Sequence, residues 1–154
     1  MRWALTILFS LALFVSAVSA AETTTGKVLK VLPQYLDPQG RNTLSPSLYE
    51  RDAYQAELLH HPEKRAGLIF NVQWKAAANT GKLKLFVQAR GIVQDKTVKT
   101  YVWGLPVQKH GWFSQWAIVT ANAEEFKALG TLTAWRVTLW DGNHRLGEQH
   151  SYLW

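Results

Sequence analysis

Cysteine is absent from this 154-residue chain. That excludes disulfides, thiolate nucleophiles, thiolate metal centres and a lipid-modified mature N-terminus, so packing alone must hold the fold. No Asn-x-Ser/Thr acceptor occurs: Asn42, Asn71, Asn79, Asn122 and Asn143 all lack a hydroxyl residue two positions on. This points to a bacterial chain over a glycosylated eukaryotic one. Acidic residues are scarce, 11 Asp and Glu against 17 Lys and Arg, for a net charge of +6. The preferred reading of such a balance is colloidal solubility; the functional one is an acidic partner, anionic polysaccharide, lipid headgroups or nucleic acid. There is no glycine-rich phosphate loop and no Gly-x-Ser-x-Gly nucleophile elbow, so nucleotide-dependent and triad chemistry leave no signature. Beyond residue 20 no apolar run approaches the ~20 residues of a spanning helix.

The one long apolar run stands at the start. Arg2 gives a positive beginning and residues 4–15 are almost unbroken apolar. Ser16-Ala17-Val18-Ser19-Ala20 then supplies the small residues a signal peptidase needs. The run is short for a bilayer span, and no Lys/Arg stop follows it. Residues 1–20 are therefore expected to be a cleaved secretory signal. The mature chain would begin at Ala21 or Glu22 and be exported to the bacterial periplasm or the medium. An exported chain rarely meets nucleic acid, so the expected partner is a protein or an acidic polysaccharide. Residues 21–154 amount to a single domain of ordinary size.

From Gly26 onward apolar residues alternate with period two more often than at helical spacing. Residues 28–36 read as a first strand, and Pro33, which cannot donate to a ladder, assigns it to an edge or bulge. Asp37-Pro38-Gln39-Gly40 is turn chemistry. Ser47-Leu48-Tyr49-Glu50 fits a capping box and predicts a helix over 48–60, ended by Pro62. Alternating strands follow over 67–76, 82–91, 96–103 and 116–120. Asn79-Thr80-Gly81 turns the chain after the first of these. Asn122-Ala123-Glu124-Glu125 caps a short helix that Gly130 closes. Two last strands, 132–140 and 145–154, are joined at Asp141-Gly142, a strong hairpin signal. About seven strands at even spacing, without alternating helices, predict an all-β sandwich. One short helix follows the first strand, and another lies between the fifth and sixth. The layout resembles the immunoglobulin and fibronectin type III superfold, without the Cys pair of antibody domains.

The third and fourth strands allow a register to be proposed. With a four-residue loop at 92–95, Leu85 opposes Val102, Val87 opposes Thr100 and Ala89 opposes Val98, all facing inward. The other face then pairs Lys84 with Trp103, Phe86 with Tyr101, Gln88 with Lys99 and Arg90 with Thr97. Both faces come out consistent, which a one-residue slip would destroy. Lys84, Phe86, Arg90, Lys99, Tyr101 and Trp103 form the candidate binding face, where aromatics interleaved with cations suit sugar rings or a partner protein. Two structural alternatives compete: cross-strand pairs stabilise a sheet without any ligand, or the 37–62 segment covers this face.

Other constellations lack the required spacing. His60-His61 are neighbours and diverge on a helix, so they make no i,i+4 metal pair. His144 and His150 lie near Asp141 and Glu148 without a ligand pattern. Glu50, Asp52 and Glu57 share one short helix and serve its dipole and solvent face better than glycoside hydrolysis. Arg51-Asp52, between Tyr49 and Tyr54, could anchor the long loop. Trp74 and Trp135 sit in phase with inward residues. Trp112 and Trp116 flank Phe113 beside Gly111, where they could reach solvent. The preferred reading is that Trp bulk fills a disulfide-free core. A terminal Trp154 with Tyr152 also resembles the end of a bacterial outer-membrane β-barrel, yet His150 and Glu148 fall on its face and the inward rows are apolar. The expectation is an exported, non-catalytic binding module without metal or cofactor. The alternatives are a small membrane barrel and a carbohydrate-active hydrolase.

Overall fold

A computed structural model describes residues 26–77 and 82–154. The proposed leader and the Asn79-Thr80-Gly81 turn lie outside them. Seven strands form: β1 (Gly26–Leu36), β2 (Gly67–Ala76), β3 (Leu83–Ile92), β4 (Val98–Pro106), β5 (Gln115–Ala121), β6 (Thr131–Asp141) and β7 (His144–His150). Two short helices accompany them, α1 (Leu48–His60) and α2 (Ala123–Leu129). All strand pairs are antiparallel, in one sheet of order β1-β2-β5 and one of order β4-β3-β6-β7. The strands therefore do not close into a single barrel, and four of them end as sheet edges. Among the described residues no helix is long and apolar enough to cross a membrane.

Alternation sets the core. β2 turns Leu68, Phe70, Val72 and Trp74 inward, and β3 answers with Leu83, Leu85, Val87 and Ala89. Val137 and Leu139 of β6 complete the layer. Fully burying one such side chain is worth about 1.5–3 kcal/mol, which is how a chain without disulfides can hold its fold. Trp74 is buried and Trp135 packs against the same cluster, as their phase predicts. Pro33 lies in β1, an edge strand, again as expected.

Both caps form where the sequence places them, but the α1 box is only half made: Ser47 N donates to Ser45 Oγ at 3.2 Å and not to Glu50. Ser47 Oγ accepts from Glu50 N at 3.5 Å at the start of α1. At α2 the box is reciprocal: Asn122 Oδ1 accepts from Glu125 N at 2.8 Å, and Glu125 Oε2 accepts from Asn122 N at 2.9 Å. β6 and β7 meet at Gly142-Asn143, with Gly142 at φ 57 as the first central turn residue. α1 packs along β1, away from the outer face of β3. Gln55 Oε1 accepts from Tyr35 N at 2.8 Å, and its amide donates to Tyr35 O at 2.9 Å. One side chain thus pairs the open edge of β1, the part of a sheet most prone to recruit another chain. At the opposite end of β1 the two sheets converge. A Cβ on Gly147 of β7 would stand 2.9 Å from Lys27 Cα, so only glycine admits β1 there.

The proposed β3–β4 register is corrected. Trp103 pairs with Val87 and Tyr101 with Ala89, three positions from the expected partners. An odd shift turns every side chain of β4 to the other face. Tyr101, Trp103 and Leu105 now face the core, while Val98, Thr100 and Val102 are exposed. The cause is the loop. Val93 N donates to Thr97 O and Lys96 N to Val93 O, so the turn contains only Gln94, Asp95 and Lys96. Lys96 takes the left-handed conformation, φ 66, usually reserved for Gly in three-residue hairpins. Asp95 Oδ1 steadies the turn by accepting from Thr97 N at 2.8 Å.

Candidate functional site: a cation-aromatic groove on the four-stranded sheet

The outer row of β3, running Lys84, Phe86, Gln88 and Arg90, lies at the centre of the four-stranded sheet and meets neighbours on both sides. Phe86 lies between Gly104 and Thr138, Gln88 between Val102 and Arg136, and Lys84 between Pro106 and Trp140. β7 extends these rows, with Arg145 opposite Trp140, Glu148 opposite Thr138 and His150 opposite Arg136. Phe86 lies over Gly104, whose missing Cβ would stand 3.0 Å from the ring. A groove of about 460 Å³ runs across this face, with Phe86 and Trp140 as its aromatics, Arg136 and Arg145 as its cations, and Gln88 and Asn143 as neutral polar groups.

Arg90, Arg136 and Arg145 are each held in place. Arg136 Nε donates to Gln88 Oε1 at 2.7 Å, and its guanidinium lies 4.9 Å from the Trp154 ring centre. Arg90 lies 4.1 Å from the same ring, so Trp154 carries two cations. The tail that delivers Trp154 is tied to β6: Ser151 N donates to Trp135 O at 2.9 Å, and Ser151 Oγ accepts from Trp135 N at 3.0 Å. Arg145 Nη1 lies 2.6 Å from Glu148 Oε2. The Trp140 indole donates to Thr138 Oγ1 at 2.9 Å, which fixes its ring against the sheet. Four cations (Lys84, Arg90, Arg136 and Arg145) thus share these rows with one acid, Glu148.

Of the six residues expected to form a binding face, Lys84, Phe86 and Arg90 come together here. The other three do not join them. Tyr101 and Trp103 pack inward, their rings 5.9 Å apart and Trp103 6.0 Å from Phe70. The Trp103 indole donates to Glu125 Oε2 at 3.0 Å, bracing the α2 cap. Lys99 pairs with Gly91 on that same inward row, at its exposed end. Val102, Arg136, Trp140, Arg145 and Trp154 were missed. Alternation within β6 does separate Arg136, Thr138 and Trp140 from inward Val137 and Leu139. No local signal, however, places β6 beside β3.

A second cluster stands at the end of β1. Asp37 is buried, and burial alone would raise its carboxyl. Hydrogen bonds from the Tyr54 hydroxyl, the Arg41 backbone and guanidinium, and Gln39 N outweigh that and hold it at about 2. The Tyr54 hydroxyl is raised by its bond to Asp37. Tyr54 therefore anchors the loop that follows β1, while Arg51 pairs with its neighbour Asp52. Among the described residues no three His, Asp or Glu gather as a metal site would require. None of the protein-family models, curated proteins or solved structures compared with this chain matches it. Its function must be argued from its own surface chemistry.

Proposed function

We propose that this chain is an exported, non-catalytic sandwich of immunoglobulin or fibronectin type III kind that binds an acidic polysaccharide along the groove of its four-stranded sheet. The supporting observation is the combination of Phe86 and Trp140 with Arg136 and Arg145 in one groove. Aromatic faces stack on sugar rings, and a guanidinium takes a uronate carboxylate in a two-pronged hydrogen bond. Glu148 holds Arg145 until a ligand carboxylate competes for it. The groove lining includes no carboxylate, whereas glycoside hydrolysis needs a pair, so binding is favoured over hydrolysis. The superfold assignment rests on strand order. Moving the fourth strand of the immunoglobulin constant-type arrangement to the other sheet yields 1-2-5 and 4-3-6-7, the order seen here. Export rests on the apolar leader of residues 4–15.

Affinity electrophoresis through polygalacturonate, with neutral dextran as control, tests the reading. Retardation by polygalacturonate alone is expected. Arg145→Ala and Trp140→Ala should each weaken it about tenfold, the scale of one charge-assisted hydrogen bond or one stacked ring. Equal mobility in the two gels would overturn the polysaccharide reading.

A further inference from the structure

The sheet on the opposite side carries a different surface. The outward row of β5 is Trp116, Ile118 and Thr120, which stand beside Gln73, Asn71 and Ile69 of β2. β1 adds Lys30 beside Gln73, and Lys27 lies opposite Lys75. The 107–114 loop leads into β5 and is tied to this face by Gln73 Nε2, which donates to Ser114 Oγ at 2.9 Å. At its tip Trp112 and Phe113 are 96% and 87% exposed, and Trp116 and Ile118 are exposed behind them. Two large rings wholly in water are costly to maintain without a use. The reading that Trp bulk only fills the core fails at Trp112 and Trp116.

The charge around these rings narrows the occupant. β1, β2, β5 and the 107–114 loop contain Lys27, Lys30, Lys75 and Lys109 and no Asp or Glu at all. Lys27, Lys30 and Lys75 are exposed. The aromatic tip lies apart from the groove on the four-stranded sheet and from the cavity beside α2. It is a projection rather than a pocket. A projecting Trp-Phe pair backed by spread lysines suits a planar surface that is apolar beneath and diffusely anionic above. Trp favours the headgroup level of a bilayer, and lysines gain from anionic lipid within about a Debye length. A partner protein would instead be expected to meet a recess for its own anchors.

We infer that this face docks on an anionic phospholipid bilayer, with Trp112 and Phe113 entering the interface and Lys27, Lys30 and Lys75 facing the headgroups. The inference is independent of the groove, which lies on the other sheet and would be left facing away from the lipid. Flotation tests it. The full chain, with residues 1–25 unchanged in every variant, is mixed with vesicles of phosphatidylcholine alone or with a quarter phosphatidylglycerol. Preferential flotation with the anionic vesicles is expected, weakening as salt is raised. Trp112→Ala/Phe113→Ala and Lys30→Ser/Lys75→Ser should each reduce it about tenfold or more. These side chains are exposed, so the variants should keep the parent's circular dichroism and polygalacturonate retardation, which separates failure here from failure of the groove. Equal flotation with both vesicle types would overturn the proposal, as would equal flotation of variant and parent. Lipid-independent self-association through Trp112 would also overturn it and assign the face to a protein contact.

Discussion

Replacing Trp103 by Ala tests the corrected orientation of β4 directly. Its ring is partly buried against Phe70 and Tyr101, and its indole donates to Glu125 at 3.0 Å. A fully buried Trp→Ala costs about 3–5 kcal/mol, and half-burial brings that to about 2. The lost ring pairs add about 0.5–1 kcal/mol. The hydrogen bond to a carboxylate at a partly wet site adds about 1 kcal/mol. The total is about 3.5–4 kcal/mol. With a urea slope of about 1.5–2 kcal/mol/M for a domain of this size, the midpoint should fall by about 2 M. Trp103→Phe keeps most of the packing and should lose about 1 kcal/mol. Val102→Ala, on the exposed row, should lose under about 1 kcal/mol. Far-UV circular dichroism is the suitable probe, since the other tryptophans would blur a fluorescence signal. A Trp103→Ala midpoint within about 0.5 M of the parent would refute the inward assignment, as would a larger loss in Val102→Ala.

Gly91 faces Leu129, and an added Cβ would stand 2.3 Å from the Leu129 carbonyl oxygen. Gly91→Ala should therefore cost about 3 kcal/mol and lower the thermal midpoint by about 10 °C, an outcome that scanning calorimetry reads directly. Asp37 is held at about 2, below its ordinary 3.8, so its contribution to stability is complete above the ordinary value. It should drain away as pH falls from about 4 to about 2, and Asp37→Asn should flatten that part of a stability–pH curve measured by urea unfolding. Gln55→Ala uncovers the Tyr35 amide and carbonyl, with an expected loss of about 1–2 kcal/mol and increased light scattering on storage. An unchanged midpoint with clear solutions would show that the cap is dispensable.

Most of the architecture was legible because its signals are local. Period-two alternation located seven strands, although the last ends at His150 and the expected run to Trp154 gives way to a turn after it. Ser47, Asn122 and Gly130 marked the helix ends, and Asp141-Gly142 marked the last hairpin, whose turn lies one residue on at Gly142-Asn143. The candidate site was only half legible. Lys84, Phe86 and Arg90 follow from alternation within one strand, but their partners depend on a turn that hides its geometry. A Gly at position 96 would have announced the left-handed residue; Lys96 does not. The association of Arg136 and Trp140 with Phe86 depends on β6 lying beside β3, a pairing across more than forty residues that no local pattern encodes. The loop position beside Gly111 raised exposure of Trp112 as one reading, but an apolar side chain in a loop reads the same whether the fold covers it or not, and the core-filling reading was preferred.

The crossing of β1 over Gly147 has a consequence in time. The first described strand finds part of its cover only in the last, almost the whole described length away. Until β6 is available, the second edge of β3 has no partner, and until β7 is available, the start of β1 lies bare. Pairings this distant in sequence pay their loop-closure entropy before any contact repays it, so folding should be slow compared with a helical bundle of the same size. Synthesis at about 5–20 residues per second delivers β7 last, so a growing chain carries open edges and uncovered apolar rows for seconds. The sandwich can therefore be completed only once β7 has been made. His144–His150 is the segment whose arrival covers the start of β1 and pairs the free edge of β6.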